Sequence, residues 1–309
     1  MSKTRIYNRQ LYIGNDNLPI LHQLIPKESI DLIATDPPFN KGYNQTRYTD
    51  KWRWTTTLRK HLLSIRKKNK HLYKVISVAH TVAGEDMAAF LCWLGVRVLA
   101  MHRVLKPTGS LYLHCDHTAG AYIKLMLDAI FSRRNFRNEI VWAYTGPSNT
   151  RRWFPRKHDT ILFYTKGDEW TFNRDDVRVR YKEASFTMGG SGSLTKGKGN
   201  KKHHMDGAAA VLKRGKVVED WWGDVPSLSV SKERVGYPTQ KPLALYERII
   251  RASSNKGNIV LDPFAGCATT CVAAERLKRR WIGIEMNDVS ELVLNRFPKK
   301  LHKRINIVF

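Results

Sequence analysis

The segment at residues 32–40 constrains the fold of this chain more than any other. Residues 32–35 read Leu-Ile-Ala-Thr, and Asp36, Pro37, Pro38 and Phe39 follow them. The two prolines lack backbone donors and have fixed φ angles, so the chain cannot continue in a sheet or enter a helix directly after Asp36. The segment therefore predicts a buried strand that ends in a stiff loop. Such a loop suits the gripping of a planar group with an amino substituent, although the motif alone fits an ordinary proline turn equally well.

A second strand and loop pattern occupies residues 258–270. An apolar run ends at Asp262, a loop of small residues contains Gly266, and a helical pattern covers residues 270–278. Residues 280–285 then read as another strand that ends in Glu285, 19 positions after Gly266. A glycine loop before a helix, with a carboxylate at this spacing to take ribose hydroxyls, predicts a nucleotide site.

Together these motifs resemble the β class of amino-methylating DNA methyltransferases, which use S-adenosylmethionine. In that family the Asp-Pro-Pro-Tyr/Phe motif precedes a target-recognition region, and the Asp-Pro-Phe-x-Gly cofactor loop comes last. Residues 236–242, Gly-Tyr-Pro-Thr-Gln-Lys-Pro, resemble the segment that precedes the cofactor loop. The resemblance covers nearly all of the chain and implies an α/β, Rossmann-like methyltransferase fold. This fold has a mostly parallel twisted sheet flanked by helices, with an inserted target-recognition region.

The resemblance also implies roles for individual residues. Asp36 and the carbonyl of Pro37 would accept hydrogen bonds from an exocyclic amino group, Pro38 would stiffen the loop, and Phe39 would stack on a base rotated out of the duplex. Related enzymes carry an acidic residue near this position that meets the adenine ring of the cofactor, which makes Asp16 the candidate here. Asp16 could equally cap a helix that starts near Leu18, and the two roles are compatible. No metal is implied. The cofactor-binding residues implied by the family are Asp16, Asp36, Thr239, Gln240, Lys241, Asp262, Phe264, Gly266, Thr269 and Glu285.

The acidic residue at position 36 favours N6 of adenine as the methylated atom. Enzymes of the family that act on N4 of cytosine mostly have serine at this position, and they are the alternative. Methyltransferases for RNA or protein glutamine typically use Asn-Pro-Pro-Tyr and place the cofactor motif first. A basic DNA-binding protein that keeps the fold without catalysis is a further alternative, disfavoured because all catalytic positions are filled.

The charge of the chain indicates a polyanionic partner. Its 53 Lys and Arg residues against 27 Asp and Glu residues give a net charge of +26. So large an imbalance favours a protein that works beside nucleic acid, here duplex DNA. An anionic membrane surface is the alternative, but no run of 18 or more apolar residues and no signal peptide is seen. We therefore expect no membrane partner and a cytoplasmic location, in a prokaryotic or phage-encoded protein.

Three basic regions are predicted to contact DNA. Residues 51–74 contain nine Lys or Arg residues and no acidic residue. Residues 147–158 form a long loop between predicted strands at 136–142 and 160–164. Residues 188–200 are rich in Gly, Ser and Lys. A solvated helix face, a loop anchored by its aromatic residues and a flexible linker are the respective alternatives. The predicted DNA-binding residues are Arg66, Lys67, Lys68, Arg151, Arg152, Trp153, Lys196, Lys198 and Lys201.

The length of 309 residues suits one catalytic domain with an inserted module. We expect residues 1–174 and 233–309 to form the catalytic domain, with a basic insertion at about 41–84, and residues 175–232 to form the target-recognition insertion. A strand is predicted within residues 5–14, helices at 85–105, 118–131 and 243–253, and a strand at 110–114. The four cysteines are expected to be small core residues. A companion restriction endonuclease and a homodimer both fit the family, and the sequence specifies neither.

Overall fold

The structure, a computed structural model, describes residues 8–42, 50–180, 213–228 and 231–309. Within these ranges one sheet has the strand order β6-β4-β5-β3-β2-β7-β8-β1-β9. Neighbouring strands pair in parallel except β5, which is antiparallel to both β3 and β4. This confirms the predicted mostly parallel sheet. The strands are β1 (Gln10–Ile13), β2 (Ile30–Thr35), β3 (Leu105–Cys115), β4 (Phe136–Ala143), β5 (His158–Thr165), β6 (Trp221–Trp222), β7 (Ile259–Asp262), β8 (Arg280–Glu285) and β9 (Asn306–Val308).

Helices cover both faces of this sheet and bury a separate apolar core on each face. Along β2, Ile33 points into one core, whereas Leu32 and Ala34 point into the other. This alternation is the geometry of a strand that is covered on both sides. The helices are α1 (Asn17–Gln23), α2 (Thr56–Lys68), α3 (Lys70–Ala83), α4 (Glu85–Val104), α5 (Gly120–Phe131), α6 (Leu243–Ser253), α7 (Thr269–Arg276), α8 (Ser290–Leu294) and α9 (Lys299–His302).

The chain leaves the two central strands in opposite directions. From β2 it passes through α2, α3 and α4 to β3 on one side, and from β7 it passes through α7 to β8 on the other side. In an open α/β sheet the crevice at such a switch point, beyond the carboxyl ends of the strands, is the usual place for a ligand. The fold thus brings the loops that follow Thr35 and Asp262 to the same crevice.

The stretch expected as a basic insertion contributes to the core. In its described part, α2 and α3 bury Leu58, Ile65, Leu72 and Ile76 in the core on the α4 side of the sheet. Each helix is amphipathic, because the apolar residues recur at helical spacing on one face. The positive charges of this stretch lie on the opposite, exposed face.

The predicted elements agree with the structure to within a few residues. The helix at 243–253 has the predicted bounds, and the helix predicted at 85–105 ends one residue earlier, at Val104. The strand predicted at 110–114 is longer, since it begins at Leu105. The four cysteines are buried and free, as expected for small core residues.

Helix α4 is long and apolar enough to cross a membrane by length and composition. In the described fold, however, 72% of its most apolar window is buried. It packs between α1, α3 and α5 and carries Arg97 and Arg103, which donate hydrogen bonds to residues of the N-terminal segment. These contacts are those of a core helix.

Candidate active site

A cavity of about 590 Å³ opens at the carboxyl edge of the sheet, between the loops that follow β2 and β7. Its volume lies within the range of sites that enclose small-molecule ligands. The structure brings all the residues expected in catalysis or cofactor binding to the wall of this cavity. They are Asp16, Asp36, Pro37, Pro38, Phe39, Thr239, Gln240, Lys241, Asp262, Phe264, Gly266, Thr269 and Glu285.

Asp36 directly follows β2 and has one paired and one unpaired carboxylate oxygen. Oδ2 accepts a hydrogen bond of 2.5 Å from the Lys241 ammonium. Oδ1 is buried and has no hydrogen-bond partner among the described residues. A buried acceptor without a donor is costly unless a ligand supplies the donor. Asp36 is therefore arranged to accept a hydrogen bond from a molecule in the cavity.

The loop after Asp36 is held in place by a second carboxylate. Asp50 is fully buried and accepts hydrogen bonds from the backbone amides of Asn40 and Lys41. Phe39, expected to stack on the target base, is only 8% exposed, and its ring centroid lies 5.7 Å from that of His114. The loop is thus fixed at both ends, by β2 and by Asp50, and its aromatic ring is pre-positioned at the cavity wall.

Residues 231–242 contact both loops of the cavity wall, the one that follows β2 and the one that follows β7. The Gln240 side chain donates to the carbonyl of Glu233 and accepts from the amide of Val235, which closes this segment on itself. The segment contacts the loop after β7 through Tyr237. Its ring packs so closely on Gly266 that a Cβ atom added there would lie only 3.2 Å from it. At its end Lys241 contacts Asp36. The sequence predicted that this segment is near the cofactor, but it did not predict the contact between Lys241 and Asp36.

Gly266 and Glu285 join the two cofactor motifs. Gly266 has a φ of +51°, a conformation that residues with side chains rarely adopt. Its amide donates to Glu285 Oε2 at 2.9 Å, and Glu285 Oε1 accepts from the backbone and side-chain amides of Asn287. Oε1 thus accepts two hydrogen bonds, whereas Oε2 keeps acceptor capacity for a further donor such as a ribose hydroxyl.

Asp262 connects β7 to β2. Its Oδ1 accepts hydrogen bonds from the Thr35 hydroxyl and from the Phe264 amide. Burial raises the pKa of Asp262 to about 6, although hydrogen bonds from Thr270 and Thr35 oppose the rise. Because Oδ1 accepts from Thr35 of β2 and from Phe264 of the loop after β7, Asp262 acts mainly as a structural support that holds this loop against β2.

The structure confirms one of the two roles that the sequence left open for Asp16, the helix cap, and its contact with the cofactor stays a prediction. It caps α1 by accepting from the Leu18 amide, and it also lines the cavity. Arg97 of α4 contacts both of its carboxylate oxygens at 2.8 and 2.9 Å. Sequence reasoning missed Arg97, which lies within the regular apolar pattern of α4.

A buried histidine and carboxylate form another group that sequence reasoning missed. His114 Nε2 lies 3.0 Å from Asp159 Oδ2, and the Tyr144 hydroxyl donates to Asp159 Oδ1 at 3.2 Å. Burial acts to raise the pKa of Asp159, but the hydrogen bond from His114 and the charges of His114 and Lys241 outweigh it, so the pKa lies below its ordinary value. Asp159 and Tyr144 line the cavity on the side of β4 and β5.

The predicted DNA contacts fall in three different places. Arg151, Arg152 and Trp153 are exposed in the loop between β4 and β5, at the same edge of the sheet as the cavity, and the neighbouring Phe154 is 95% exposed. Residues 66–68 form the exposed last turn of α2. These three residues do not line the cavity, and the 13-residue helix that they end is about 20 Å long. Lys196, Lys198 and Lys201 lie outside the described residues.

The cavity fits S-adenosylmethionine by the chemistry of its wall. Gly266 permits close approach of a ligand to the backbone, Glu285 offers acceptors for hydroxyls, and Phe264 and Trp93 provide apolar surface. The described residues contain no cluster of His, Cys, Asp and Glu side chains with the arrangement of a metal site. The donors and acceptors present are those that bind an organic cofactor.

Comparison with known proteins gives a consistent result. Residues 30–292 match the profile of the N6/N4 methyltransferase family, described as DNA methylase. The DNA adenine methyltransferase YhdJ of Escherichia coli (strain K12) is 31% identical over 284 residues, which cover 89% of this chain and 80% of that protein. Further similar proteins are type II methyltransferases, of whose lengths this chain spans between 57% and 85%.

Solved structures show the same fold. The cytosine-N4-specific PvuII DNA methyltransferase has a TM-score of 0.58 at 17% identity and covers 97% of this chain, with 95% of its own chain matched. The structure of TTHA0409 from Thermus thermophilus in complex with S-adenosyl-L-methionine has a TM-score of 0.56 at 21% identity, over 97% of this chain and 100% of that one. Both structures therefore share the fold of this chain.

Proposed function

Because this chain belongs to the N6/N4 family of DNA methylases, for which S-adenosylmethionine is the cofactor, we propose that it methylates the N6 amino group of adenine in duplex DNA. The observation that carries the proposal is the buried, unpaired Oδ1 of Asp36, which lines the same cavity as Gly266 and Glu285. An exocyclic amino group has two N–H donors, so an unsatisfied buried acceptor is the partner that it needs.

The chain activates the amino group by accepting its hydrogen bonds. The lone pair of this nitrogen is delocalised into the ring, which makes it a weak nucleophile. Hydrogen bonds from its two N–H groups to Asp36 and to the carbonyl of Pro37 would favour a tetrahedral nitrogen with a localised lone pair. The cofactor supplies a methyl group on a sulfonium, and the proton is lost from nitrogen after transfer. Catalysis is then mainly positioning.

The target base has to leave the duplex to reach this site. The amino group of a stacked, paired base is not accessible at the bottom of a cavity, so the base must be rotated outward. Phe39 would then contact the face of the base. The loop that carries Arg151, Arg152, Trp153 and Phe154 lies at the same edge of the sheet, where it would meet phosphates and the disturbed base stack.

Two features support adenine over cytosine. A carboxylate is a stronger acceptor than the serine hydroxyl typical of cytosine enzymes, and this chain has Asp36 at that position. The relative YhdJ, which is 31% identical, is a DNA adenine methyltransferase.

The remaining expectations are part of the same proposal. Residues 175–232 would select the DNA sequence, and the net charge of +26 would hold the protein on duplex DNA. The protein would work in the cytoplasm of a prokaryotic cell, as a bacterial or phage-encoded enzyme. A restriction endonuclease with the same target and a homodimeric state both fit an enzyme of this family.

The product of the reaction tests the proposal. DNA incubated with the purified protein and S-adenosylmethionine labelled in the methyl group is digested to nucleosides, which are then separated. We expect label in N6-methyladenine, and mapping of the methylated bases then gives the target sequence. Label in N4-methylcytosine would overturn the assignment of the base alone, whereas label only in RNA or protein would overturn the proposed function.

A further inference from the structure

The catalytic carboxylate is paired with a cation in the cofactor-free chain. Lys241 Nζ lies 2.5 Å from Asp36 Oδ2, and the two side chains are only 11% and 16% exposed. The same ammonium lies 5.4 Å from the centroid of the Phe39 ring. It therefore sits at the two groups that are proposed to hold the target base.

A fixed ammonium at this place opposes the proposed reaction. Positive charge passes from the sulfonium to the amino nitrogen during methyl transfer, and a neighbouring cation in a partly buried site disfavours that charge. Lys241 also occupies one of the two carboxylate oxygens that could accept from the amino group. In the reactive complex its ammonium has to be balanced by another anion.

The cofactor contains one suitable anion, the carboxylate of its methionine part. We propose that Lys241 is a positioning residue that holds Asp36 while the cofactor pocket is empty and passes its ammonium to the cofactor carboxylate when the pocket is filled. Asp36 then has both oxygens available for the target base. This inference rests on the proposed role of Asp36 in binding the amino group.

The segment that carries Lys241 is built for such a transfer. Gln240 fixes the backbone through two hydrogen bonds, and Tyr237 packs against Gly266 of the cofactor loop. Only the flexible four-carbon side chain of Lys241 has to move. Burial raises the pKa of the Cys267 thiol in the cofactor loop, and the charges of Arg296 and Lys241 oppose the rise.

Binding measurements without DNA test the transfer. The first ligand is S-adenosylhomocysteine, and the second is its decarboxylated analogue, which keeps the amine and lacks only the carboxylate. We expect Lys241→Met to weaken the first ligand at least tenfold, the effect of losing one charge-assisted hydrogen bond, and to leave the second unchanged. Lys256→Met, at an exposed turn away from the cavity, is the control for the loss of one charge and should change neither.

The reciprocal variant gives an independent result. Because the ammonium no longer has to leave a carboxylate, Asp36→Asn should bind S-adenosylhomocysteine more tightly than the wild-type chain, and it should not tighten binding of the decarboxylated analogue. Equal changes for both ligands, or no change in either variant, would overturn the transfer. These titrations do not depend on which base is methylated, so their failure is distinct from failure of the nucleoside analysis.

Once the target site is mapped, 2-aminopurine in place of the target base reports its exit from the stack. We expect S-adenosylhomocysteine to raise the fluorescence of the wild-type complex severalfold. The Lys241→Met complex should fluoresce strongly with or without the ligand. A wild-type signal that is independent of the ligand would contradict the coupling.

Discussion

The backbone amide of Gly266 donates a hydrogen bond of 2.9 Å to Oε2 of Glu285. Together with the hydrogen bond of 2.9 Å from the Ala265 amide to the Ile284 carbonyl, it fixes the distance between the loop after β7 and the end of β8, and so the width of the cavity there. Because of this contact, the position of the Glu285 carboxylate depends on the conformation of the Gly266 peptide. Any change that rotates the Gly266 peptide removes a donor from a carboxylate that is only 8% exposed.

Replacing Gly266 with valine should weaken cofactor binding by tenfold or more. A side chain at φ +51° costs about 1–2 kcal/mol, and its Cβ would lie 3.2 Å from the Tyr237 ring. Titration with S-adenosylhomocysteine measures the effect. Gly257→Val is the matched control, because Gly257 also has a positive φ of +81° but has no atom within 4 Å of the added Cβ. Equal affinity in folded Gly266→Val protein would place the cofactor elsewhere.

Replacing Asp36 with alanine should reduce kcat for methyl transfer by about 10²–10³-fold, the cost of removing one acceptor that acts in the transition state. Cofactor affinity should not fall, because the alanine no longer holds the Lys241 ammonium, which stays free for the cofactor carboxylate. Single-turnover methylation and cofactor titration separate the two effects. Asp168→Ala, at a side chain that is 75% exposed, is the control and should keep wild-type turnover. Similar turnover in both variants would exclude Asp36 from catalysis.

The stability of the chain should carry a pH dependence that comes from Asp262. Its pKa is about 6 in the fold against 3.8 ordinarily, so the protonated form favours the folded state. This contribution is present below about pH 4 and is lost as the pH rises through 6, by about 2–3 kcal/mol. Relative to the wild-type chain, Asp262→Asn should therefore become more stable from pH 4 to pH 7. Denaturant unfolding of both proteins measures it, and a constant difference would show that Asp262 is not perturbed.

Removing the charges of Arg151 and Arg152 should weaken DNA binding and flatten its salt dependence. Two lost phosphate contacts reduce the slope of log K against log salt by about two. Because phosphate contacts carry no sequence information, specific and non-specific DNA should be affected alike. Binding isotherms at several salt concentrations provide the measurement. An unchanged slope would mean that DNA does not approach this loop.

Charge reversal at Arg66, Lys67 and Lys68 tests a different surface. If DNA extends to the end of α2, affinity should fall for all sequences, while kcat on saturating DNA should stay unchanged because these three side chains do not line the cavity. The same isotherms and a turnover assay distinguish these effects. An unchanged affinity and slope would identify this turn as a solvated helix face.

The sequence predicted the central strands and their loops because each has a local signal. The prolines at 37 and 38 end β2, and the glycine at 266 marks the loop after β7. The helix at 243–253 was predicted to the residue because its apolar residues recur at helical spacing. Local signals of this kind depend only on neighbours in the chain.

The electrostatic partners could not be predicted in the same way. Lys241 and Asp36 are 205 positions apart, and Arg97 and Asp16 are 81 positions apart. No periodicity connects such residues, and only the order of strands in the sheet brings them together. The core role of α2 was missed for a related reason, since its many charges concealed the buried Leu58 and Ile65.

The hydrogen bond between Thr35 and Asp262 spans 227 positions, and it has a consequence for synthesis of the chain. The ribosome makes β2 long before β7, with a delay of about 10–45 s at ordinary elongation rates. During that time one edge of β2, at Leu32 and Ile33, lacks its neighbouring strand. A nascent chain therefore carries an exposed apolar strand edge, which nascent-chain chaperones would have to shield. It also remains unable to methylate DNA until the last third of the chain has emerged.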